Sequence, residues 1–256
     1  MHIYEYEILV KLAKNNDLFA IRRILDYYFE NRNSENIRVE EIEIDKQQII
    51  KYLKLLIEND DSNAMLVLGA LHYTGEDGIA EQDYSKAEYF YNKAINMKPI
   101  NYNYNTTALN NLGYVYFYGK NNVQDYSKAF LYFGKAACLQ NSNAMYKIGD
   151  MYKNGIYVRK NIQKAFYWYK EAFLYTQNDD YCTASVSLRL GEAYLYRKGT
   201  DIDLLKSLKY LQIAERRYYK MAINKPILSN AIYVDGPLKN VQKILDILHK
   251  KLNKLI

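Results

Sequence analysis

The sequence predicts an all-α chain in which antiparallel helix pairs stack into an α-solenoid. Two segments of thirteen residues, QDYSKAEYFYNKA at 82–94 and QDYSKAFLYFGKA at 124–136, are nearly identical and lie 42 positions apart. A period of roughly 20–50 residues is typical of repeat architectures. Of the 256 residues only 11 are Gly and 3 are Pro, so few positions interrupt a helix. The two segments are therefore predicted to be the same helix of two stacked hairpins.

Alignment on a glycine that follows Leu or Ile reveals four copies of one pattern. In three copies a second glycine comes six residues later, and the fourth copy has Arg197 at that place. Spacings inside a copy are nearly constant whereas the lengths between copies vary, as expected for repeated packing joined by tolerant loops. The first glycines, called anchor glycines below, are Gly69, Gly113, Gly149 and Gly191.

Each copy is predicted to form two helices. In the first, apolar residues recur every three or four positions, as in Ala144, Ile148 and Met151. The second glycine, for example Gly155, can adopt the left-handed conformation that ends a helix. An Asp or Asn then stands where the N-cap of the second helix belongs. These predicted N-caps are Asp83, Asp125 and Asn161.

The second helix carries two small residues seven positions apart, which allow two helices to cross closely. Aromatic residues near them are predicted to fill the core, Trp168 among them, whose loss is expected to cost roughly 3–5 kcal/mol. His72 stands where the other copies have Tyr, so it is predicted to pack and not to catalyse. The small pairs are Ala87 and Ala94, Ala129 and Ala136, Ala165 and Ala172, and Ser207 and Ala214.

Helical periodicity outside the repeats predicts further helices at 3–14, 17–31 and 45–59. Pro226 and the triplet Asp235-Gly236-Pro237 predict breaks before a last helix, whose apolar residues step by three and four. We interpret this helix as a cap, because a solenoid must cover its last open core with a polar outer face. An amphipathic helix that binds a partner or an anionic membrane is the alternative.

The chain is predicted to have three parts. Residues 1–60 form N-terminal helices, either a degenerate repeat or a cap. Residues 61–221 hold the four repeats, and residues 222–256 form a linker and a basic amphipathic capping helix. The repeats are predicted at about 61–98, 105–140, 141–177 and 183–220.

The net charge of +6 is spread unevenly along the chain. Residues 1–62 hold 9 basic and 13 acidic side chains, a net charge of −4, and residues 205–256 hold 11 basic and 3 acidic ones, a net charge of +8. Such asymmetry indicates either an anionic partner or the solvated outer faces of terminal helices.

The few cysteines and histidines predict neither a metal site nor a cofactor. Cys138 and Cys182 are the only cysteines, no CxxC occurs, and the three histidines are widely separated. Glu5 and Glu7 stand where a signal peptide needs basic residues, and no stretch approaches 18 apolar residues. We expect a cytoplasmic protein without a transmembrane segment; export by a route that needs no N-terminal signal stays open.

The repeat resembles a known family. The pattern Ala-x3-Leu-Gly-x2-Tyr-x2-Gly, followed by Lys-Ala-x2-(Trp/Tyr)-(Tyr/Phe)-x-x-Ala, is similar to the Sel1-like repeat, a relative of the tetratricopeptide repeat. The resemblance implies a right-handed superhelical α-solenoid and a non-enzymatic role as an adaptor or scaffold in protein complexes. The segments that carry it are 64–94, 108–136, 144–172 and 186–214.

The resemblance also implies a binding surface. In the tetratricopeptide family, groove contacts come from first-helix positions six and three before the anchor glycine and one and four after it. Asn side chains there can both donate to and accept from a peptide backbone, and aromatic ones can anchor an interface. Alternatively, Asn63 and Asn143 are N-caps, and Tyr73 and Tyr146 are stacking residues. The candidates are Asn63, Tyr73, Asn110, Tyr114, Phe117, Asn143, Tyr146, Asp150, Lys153 and Glu192.

Three function classes follow. The main hypothesis is an adaptor that binds a protein or peptide through the concave face of the solenoid. The alternative is a nucleic-acid-binding helical repeat that uses the basic C-terminal third for phosphates and Tyr for stacking. An enzyme has the least support, because the stretch GEDGIAEQD lacks the Lys-Ser/Thr ending of a phosphate loop and no catalytic cluster stands out. The sequence leaves the oligomeric state open.

Overall fold

The computed structural model describes residues 3–31, 46–75, 79–96, 102–176, 179–223 and 231–254, which form twelve α-helices and no strand. The predicted all-α class is confirmed. The helices are α1 (Ile3–Lys14), α2 (Leu18–Asn31), α3 (Lys46–Glu58), α4 (Ser62–Thr74), α5 (Tyr84–Ile95), α6 (Tyr102–Tyr118), α7 (Tyr126–Cys138), α8 (Ser142–Asn154), α9 (Ile162–Leu174), α10 (Asp180–Tyr196), α11 (Leu204–Ile223) and α12 (Ala231–Leu252).

The chain divides into two compact units, residues 1–108 and 109–256. In the first unit each helix from α1 to α5 packs against the next one in sequence. A continuous apolar core runs along it, and its fully buried members include Ile21, Ile49 and Leu53. Contacts between neighbours in sequence are the mark of a helical repeat stack. Helices α1 to α3 fall within one residue of their predicted limits.

In the second unit α7 to α12 follow the same plan, each helix packing against its successor. Helices α8 and α10, the first helices of two successive copies, also contact each other. This is the arrangement of antiparallel hairpins in a stack. The predicted solenoid of helix pairs is confirmed within the unit.

Each anchor glycine lies against a large side chain of the second helix of its own copy. A Cβ atom on Gly149 would lie 2.6 Å from Cε1 of Tyr169, and one on Gly69 would lie 2.8 Å from the Tyr91 ring. Gly113 meets Phe133 and Gly191 meets Leu211 in the same way. The glycine is therefore required because the paired helices approach too closely for any side chain. The four large partners, Tyr91, Phe133, Tyr169 and Leu211, are all buried.

The small residues of the second helices lie at the helix crossings, as predicted. All are at most 2% exposed, which leaves no room for larger side chains. Ser207 replaces the first Ala in the fourth copy, and its hydroxyl donates to the Gly191 carbonyl at 2.9 Å. The polar substitute is thus satisfied inside the core. The buried set comprises Ala87, Ala94, Ala129, Ala136, Ala165, Ala172, Ser207 and Ala214.

The helix ends also match the prediction. Asp83 and Asp125 each accept hydrogen bonds from two backbone N–H groups of the following turn, and Asn161 accepts one. Gly155 ends α8 in the left-handed conformation, with φ of 73°. Arg197 takes the equivalent position after α10 with φ of 54°, although a side chain there costs roughly 1–2 kcal/mol. The fourth copy therefore keeps the same turn without the glycine.

The prediction that Trp168 belongs to the core is wrong. Its side chain is half-buried, whereas its neighbour Tyr169 is 3% exposed. The buried stripe of α9 consists of Ala165, Tyr169 and Ala172, and Trp168 lies at its flank with its ring against Tyr167. Because each residue turns the helix by about 100°, a position next to the stripe is only partly covered.

The predicted break at residues 235–237 is also wrong. Helix α12 begins at Ala231, and Pro237 lies inside it. The φ angle of proline is compatible with a helix, although an interior proline lacks a backbone donor and crowds the carbonyl of the preceding turn. The other predicted break, at Pro226, lies outside the described residues.

Helix α12 packs against α10 and α11, and its role as a cap stays a prediction. Val241, Leu245 and Leu248 are buried in a core shared with α10 and α11, and Leu238 and Leu252 pack at its edge. The lysines of α12 lie on its exposed face. The helix therefore covers the fourth helix pair with its apolar face and turns a polar face outward, which is what the predicted cap would need.

Candidate functional site

Two of the predicted site residues meet around Arg189 of α10. The Arg189 Nε donates to Asp150 at 3.1 Å, and Nη2 donates to the Tyr146 hydroxyl at 3.5 Å. The Tyr169 hydroxyl donates to the same carboxylate oxygen of Asp150 at 2.7 Å. These four residues, called the Arg189 network, join α8 and α9 of the third copy to α10 of the fourth.

Burial sets the electrostatics of this network. It raises the pKa of the Tyr146 hydroxyl, and together with the charge of Asp150 it raises the pKa of Tyr169. Burial alone would lower the pKa of Arg189, but the Coulombic interactions with Tyr146 and Asp150 outweigh it and the pKa is raised. At neutral pH the network thus consists of two neutral phenols and one guanidinium–carboxylate pair. Such a pair is costly to break, because either charge would be left partly buried and unpaired.

A second cluster surrounds Lys147 of α8. Its ammonium lies 5.1 Å from the ring centre of Tyr114, 5.7 Å from that of Phe117 and 5.7 Å from that of Tyr146. It also donates to the Tyr118 hydroxyl at 3.1 Å. A lysine over several aromatic faces gains cation–π attraction of about 0.5–2 kcal/mol. This aromatic cage brings together three of the predicted residues, Tyr114, Phe117 and Tyr146.

Lys147 and Arg189 occupy the same place in the repeat, two residues before the anchor glycine. Each reaches back to the residue one position after the anchor glycine of the preceding copy, which is Tyr114 for Lys147 and Asp150 for Arg189. Neither residue was predicted from the sequence, although a basic residue at one repeat position in two adjacent copies is a signal that could have indicated them. Tyr118 and Tyr169 were also missed as members of these clusters.

Lys153 and Glu192 lie at a small cavity beside the Arg189 network. The cavity has a volume of about 260 Å³ and opens between α8, α9 and α10. Glu192 pairs with Lys198 at 3.8 Å. Another cavity, of about 850 Å³ between α1 and α3 of the first unit, contains none of the predicted residues. The charged residues of the smaller cavity are Lys153, Lys160, Arg189, Glu192 and Lys198.

Asn143 and Asn110 do not join these clusters. The Asn143 amide donates to Asp179 at 2.6 Å, which ties the start of α8 to the residue that caps α10. Asn110 is 8% exposed, and its Oδ1 has no hydrogen-bond partner among the described residues. Its contact with a peptide stays a prediction.

Asn63 and Tyr73 lie in the first unit, on α4. Tyr73 packs edge-on against Tyr84 with ring centres 5.5 Å apart. The alternative role of Asn63 and Asn143 as N-caps is wrong, because the caps are Asp61 and Asn141, two positions earlier. An N-cap residue must precede the first helical residue, and both asparagines lie inside the first turn.

His72 packs, as predicted. Its ring is stacked on Phe90 with the planes 4° apart. The equivalent residues Tyr116 and Tyr194 stack on Tyr132 and Tyr210. In the first, second and fourth copies this repeat position therefore stacks a ring between the two helices of a hairpin, whereas Tyr152 of the third copy packs edge-on against Phe130.

The described residues contain no group of three or more His, Cys, Asp or Glu side chains placed to hold a metal ion. The two cysteines are free, and burial raises the pKa of the Cys182 thiol to about 12. In the same part of the chain, no helix is both long enough and apolar enough to cross a membrane.

Known proteins share the repeat and its structure. HRD3B of Arabidopsis thaliana, an ERAD-associated E3 ubiquitin-protein ligase component, is 31% identical over 119 residues, which are 46% of this chain and 17% of HRD3B. The crystal structure of a Sel1 repeat protein from Oxalobacter formigenes superposes with a TM-score of 0.61 and 20% identity, over 98% of this chain and all of that one. The Escherichia coli protective antigen c5321 superposes with a TM-score of 0.56 and 18% identity, over 85% of this chain and 50% of that one.

The family follows from the repeats themselves. The Sel1 repeat matches residues 62–99, 106–141, 142–173 and 186–219, more than half of the chain. These segments coincide with the four helix pairs that carry the anchor glycines. The chain belongs to the Sel1 repeat family.

Proposed function

We propose that the chain is a non-enzymatic adaptor or scaffold that binds a protein or peptide partner. The proposed surface lies on the first helices α6, α8 and α10 of the second unit, on the concave face of the solenoid. The observation that carries the proposal is the chain of contacts along these helices, from Tyr118 through Lys147 and Tyr146 to Arg189. We call this band the first-helix surface.

The chemistry of the band suits a protein interface. Tyr and Arg are enriched where binding energy concentrates, because they combine large contact area with polar ends. Tyr118 is 54% exposed and Lys147 is half-buried, so both remain accessible. The hydrogen bond from Lys147 to the Tyr118 hydroxyl restrains both side chains, which lowers the entropy lost on binding.

The comparisons support the same class of function. Sel1 repeat proteins commonly mediate protein–protein interactions and are typically non-catalytic scaffolds. The relative HRD3B is a component of an E3 ubiquitin-protein ligase. Because this chain spans 17% of that protein, we propose for it only the general role of a part that assembles with other proteins.

The structure gives no specific observation in favour of nucleic-acid binding. Part of the basic charge of α11 is neutralised internally, because Arg217 and Lys220 both contact the Asp180 carboxylate. The Lys251 ammonium of α12 lies over the ring of Tyr196. We therefore favour a protein partner.

Affinity capture with paired variants tests the proposal. Tagged wild type is used to capture proteins from the cells that contain the chain naturally, beside Tyr118→Ser/Lys147→Ser and the control Tyr167→Ser/Lys170→Ser on α9. Tyr167 is 55% exposed, so the control removes a matched ring. We expect the first pair to reduce a captured partner about tenfold or more, as for loss of an interface anchor. The control should retain it.

If Tyr118→Ser/Lys147→Ser and the control Tyr167→Ser/Lys170→Ser both fold and capture equal amounts of the partner, the proposal is contradicted. Folding is checked by the thermal unfolding midpoint from circular dichroism. A partner lost only from the control would place the binding surface on the second helices instead.

A further inference from the structure

The ammonium of Lys153 lies among charged side chains but is paired with none that the structure describes. Lys153 lies near the end of α8 and is half-buried at the 260 Å³ cavity. It makes no hydrogen bond or ion pair with any described residue, whereas Arg189 and Lys198 beside it each have a carboxylate partner. A partly desolvated charge without a counter-ion is unfavourable, which is why such groups are normally paired.

Charges of both signs surround Lys153, but the carboxylates are already used. Asp150 accepts from Tyr169 and Arg189, and Glu192 pairs with Lys198. Burial and then the like charge of Arg189 lower the pKa of Lys153; the charges of Glu192 and Asp150 act in the opposite direction without restoring it, and Lys198 lowers it slightly further. Lys160 adds a further cation to the cavity wall. The cavity thus holds an excess of positive charge.

We infer that this cavity binds the carboxylate of an acidic side chain of the partner peptide, with Lys153 as its counter-ion. The inference rests on the proposed function, since it places one residue of the partner beside the first-helix surface. A carboxylate between the ammonium groups of Lys153, Lys160 and Lys198 completes the missing pair. The cavity is smaller than the roughly 300–1,000 Å³ of sites for whole small molecules, so a single side chain fits it better.

The state of Arg189 favours a carboxylate over a phosphate. Phosphate recognition typically uses the planar fork of an arginine in a bidentate contact. Here Nε of Arg189 is bound to Asp150 and Nη2 is directed to Tyr146. The remaining cations are lysines, which act as point charges and suit a singly charged group.

Fluorescence anisotropy with the purified full chain tests the inference. The probe is a labelled peptide of about ten residues with alternating Glu and Gly, and the reference peptide has Gln in place of Glu. We expect the acidic peptide alone to bind, more weakly when NaCl is raised from about 50 to about 300 mM, because salt screens exposed charges. Lys153→Met should lower the affinity about tenfold, the loss of one charge-assisted contact.

Two further variants make the test specific. Glu192→Gln removes a carboxylate that competes with the ligand, so the affinity for the acidic peptide should rise. Lys170→Met removes an exposed lysine of α9 outside the cavity, so the affinity should not change. Lys153→Met should unfold at an unchanged or higher temperature, because the lowered pKa means that the charged lysine disfavours the folded state at neutral pH.

Several results would overturn the inference. They are no binding of the acidic peptide at low salt, equal binding by wild type and Lys153→Met, or weaker binding by Glu192→Gln. The same peptide with phosphoserine in place of Glu could also bind more tightly than the Glu peptide. If Lys153→Met weakened that binding, the ligand group would be a phosphate and not a carboxylate. None of these results tests the proposed function, because that is tested separately by affinity capture with the Tyr118→Ser/Lys147→Ser variant.

Discussion

Phe133→Ala is expected to lower the free energy of unfolding by about 3–5 kcal/mol, the cost of a large cavity in a core. The Phe133 ring is fully buried. It lies against Gly113 and packs edge-on to the Tyr114 ring, with the two ring centres 5.3 Å apart. No neighbouring side chain can therefore fill the space left by Phe133 without leaving its own position. Urea denaturation followed by far-UV circular dichroism measures the loss.

Trp168→Ala is the matched comparison. Trp168 has the larger side chain but is only partly buried, so its removal leaves a gap that water can enter, and the expected loss is smaller than for Phe133→Ala. A loss for Trp168→Ala as large as that for Phe133→Ala would contradict the assignment of the buried stripe.

Gly149→Ala is expected to destabilise the chain by about 1–3 kcal/mol through overpacking. The new Cβ would lie 2.6 Å from Tyr169 and 3.3 Å from the Ala165 carbonyl oxygen. Tyr169 cannot move away freely, because its hydroxyl donates to Asp150. Tyr169→Leu should lower the free energy of unfolding less in the Gly149→Ala variant than in wild type, because it also removes the ring that the new Cβ would clash with.

Gly134→Ala provides a control of opposite sign. Gly134 lies inside α7, and a Cβ there would meet no atom within 4 Å. Removing the backbone freedom of glycine should then stabilise the helix by about 0.5–1 kcal/mol. Equal effects of the two substitutions in urea denaturation would show that the anchor glycine is not required for close helix approach.

The repeated hairpins could be predicted from the sequence because their determinants are local. The anchor glycine, the two small residues and the N-cap have nearly constant spacings within one hairpin, and the structure confirms each of them. Deviations arose where a second effect overrides the local signal. Pro237 lies inside α12 because its φ angle suits a helix, and Trp168 lies beside the buried stripe and not in it.

The clusters between copies could be predicted only in part. Tyr146 and Asp150 were predicted from their positions in the repeat, but Arg189, which binds both, is 43 and 39 residues away. Contacts over that distance depend on the offset between stacked hairpins, which the spacing within one copy does not define. The same reason explains why the hydrogen bond from Asn143 to Asp179, 36 residues away, could not be predicted.

Photocrosslinking from two matched positions tests the central claim most directly. A photoreactive phenylalanine analogue replaces either Tyr118 on α6, which is 54% exposed, or Tyr167 on α9, which is 55% exposed. Irradiation in the cells that contain the chain naturally, followed by mass spectrometry, identifies what each position touches. We predict a crosslinked protein partner from position 118 and none from position 167. The same partner crosslinked equally or more strongly from position 167 would contradict the first-helix surface as the binding site.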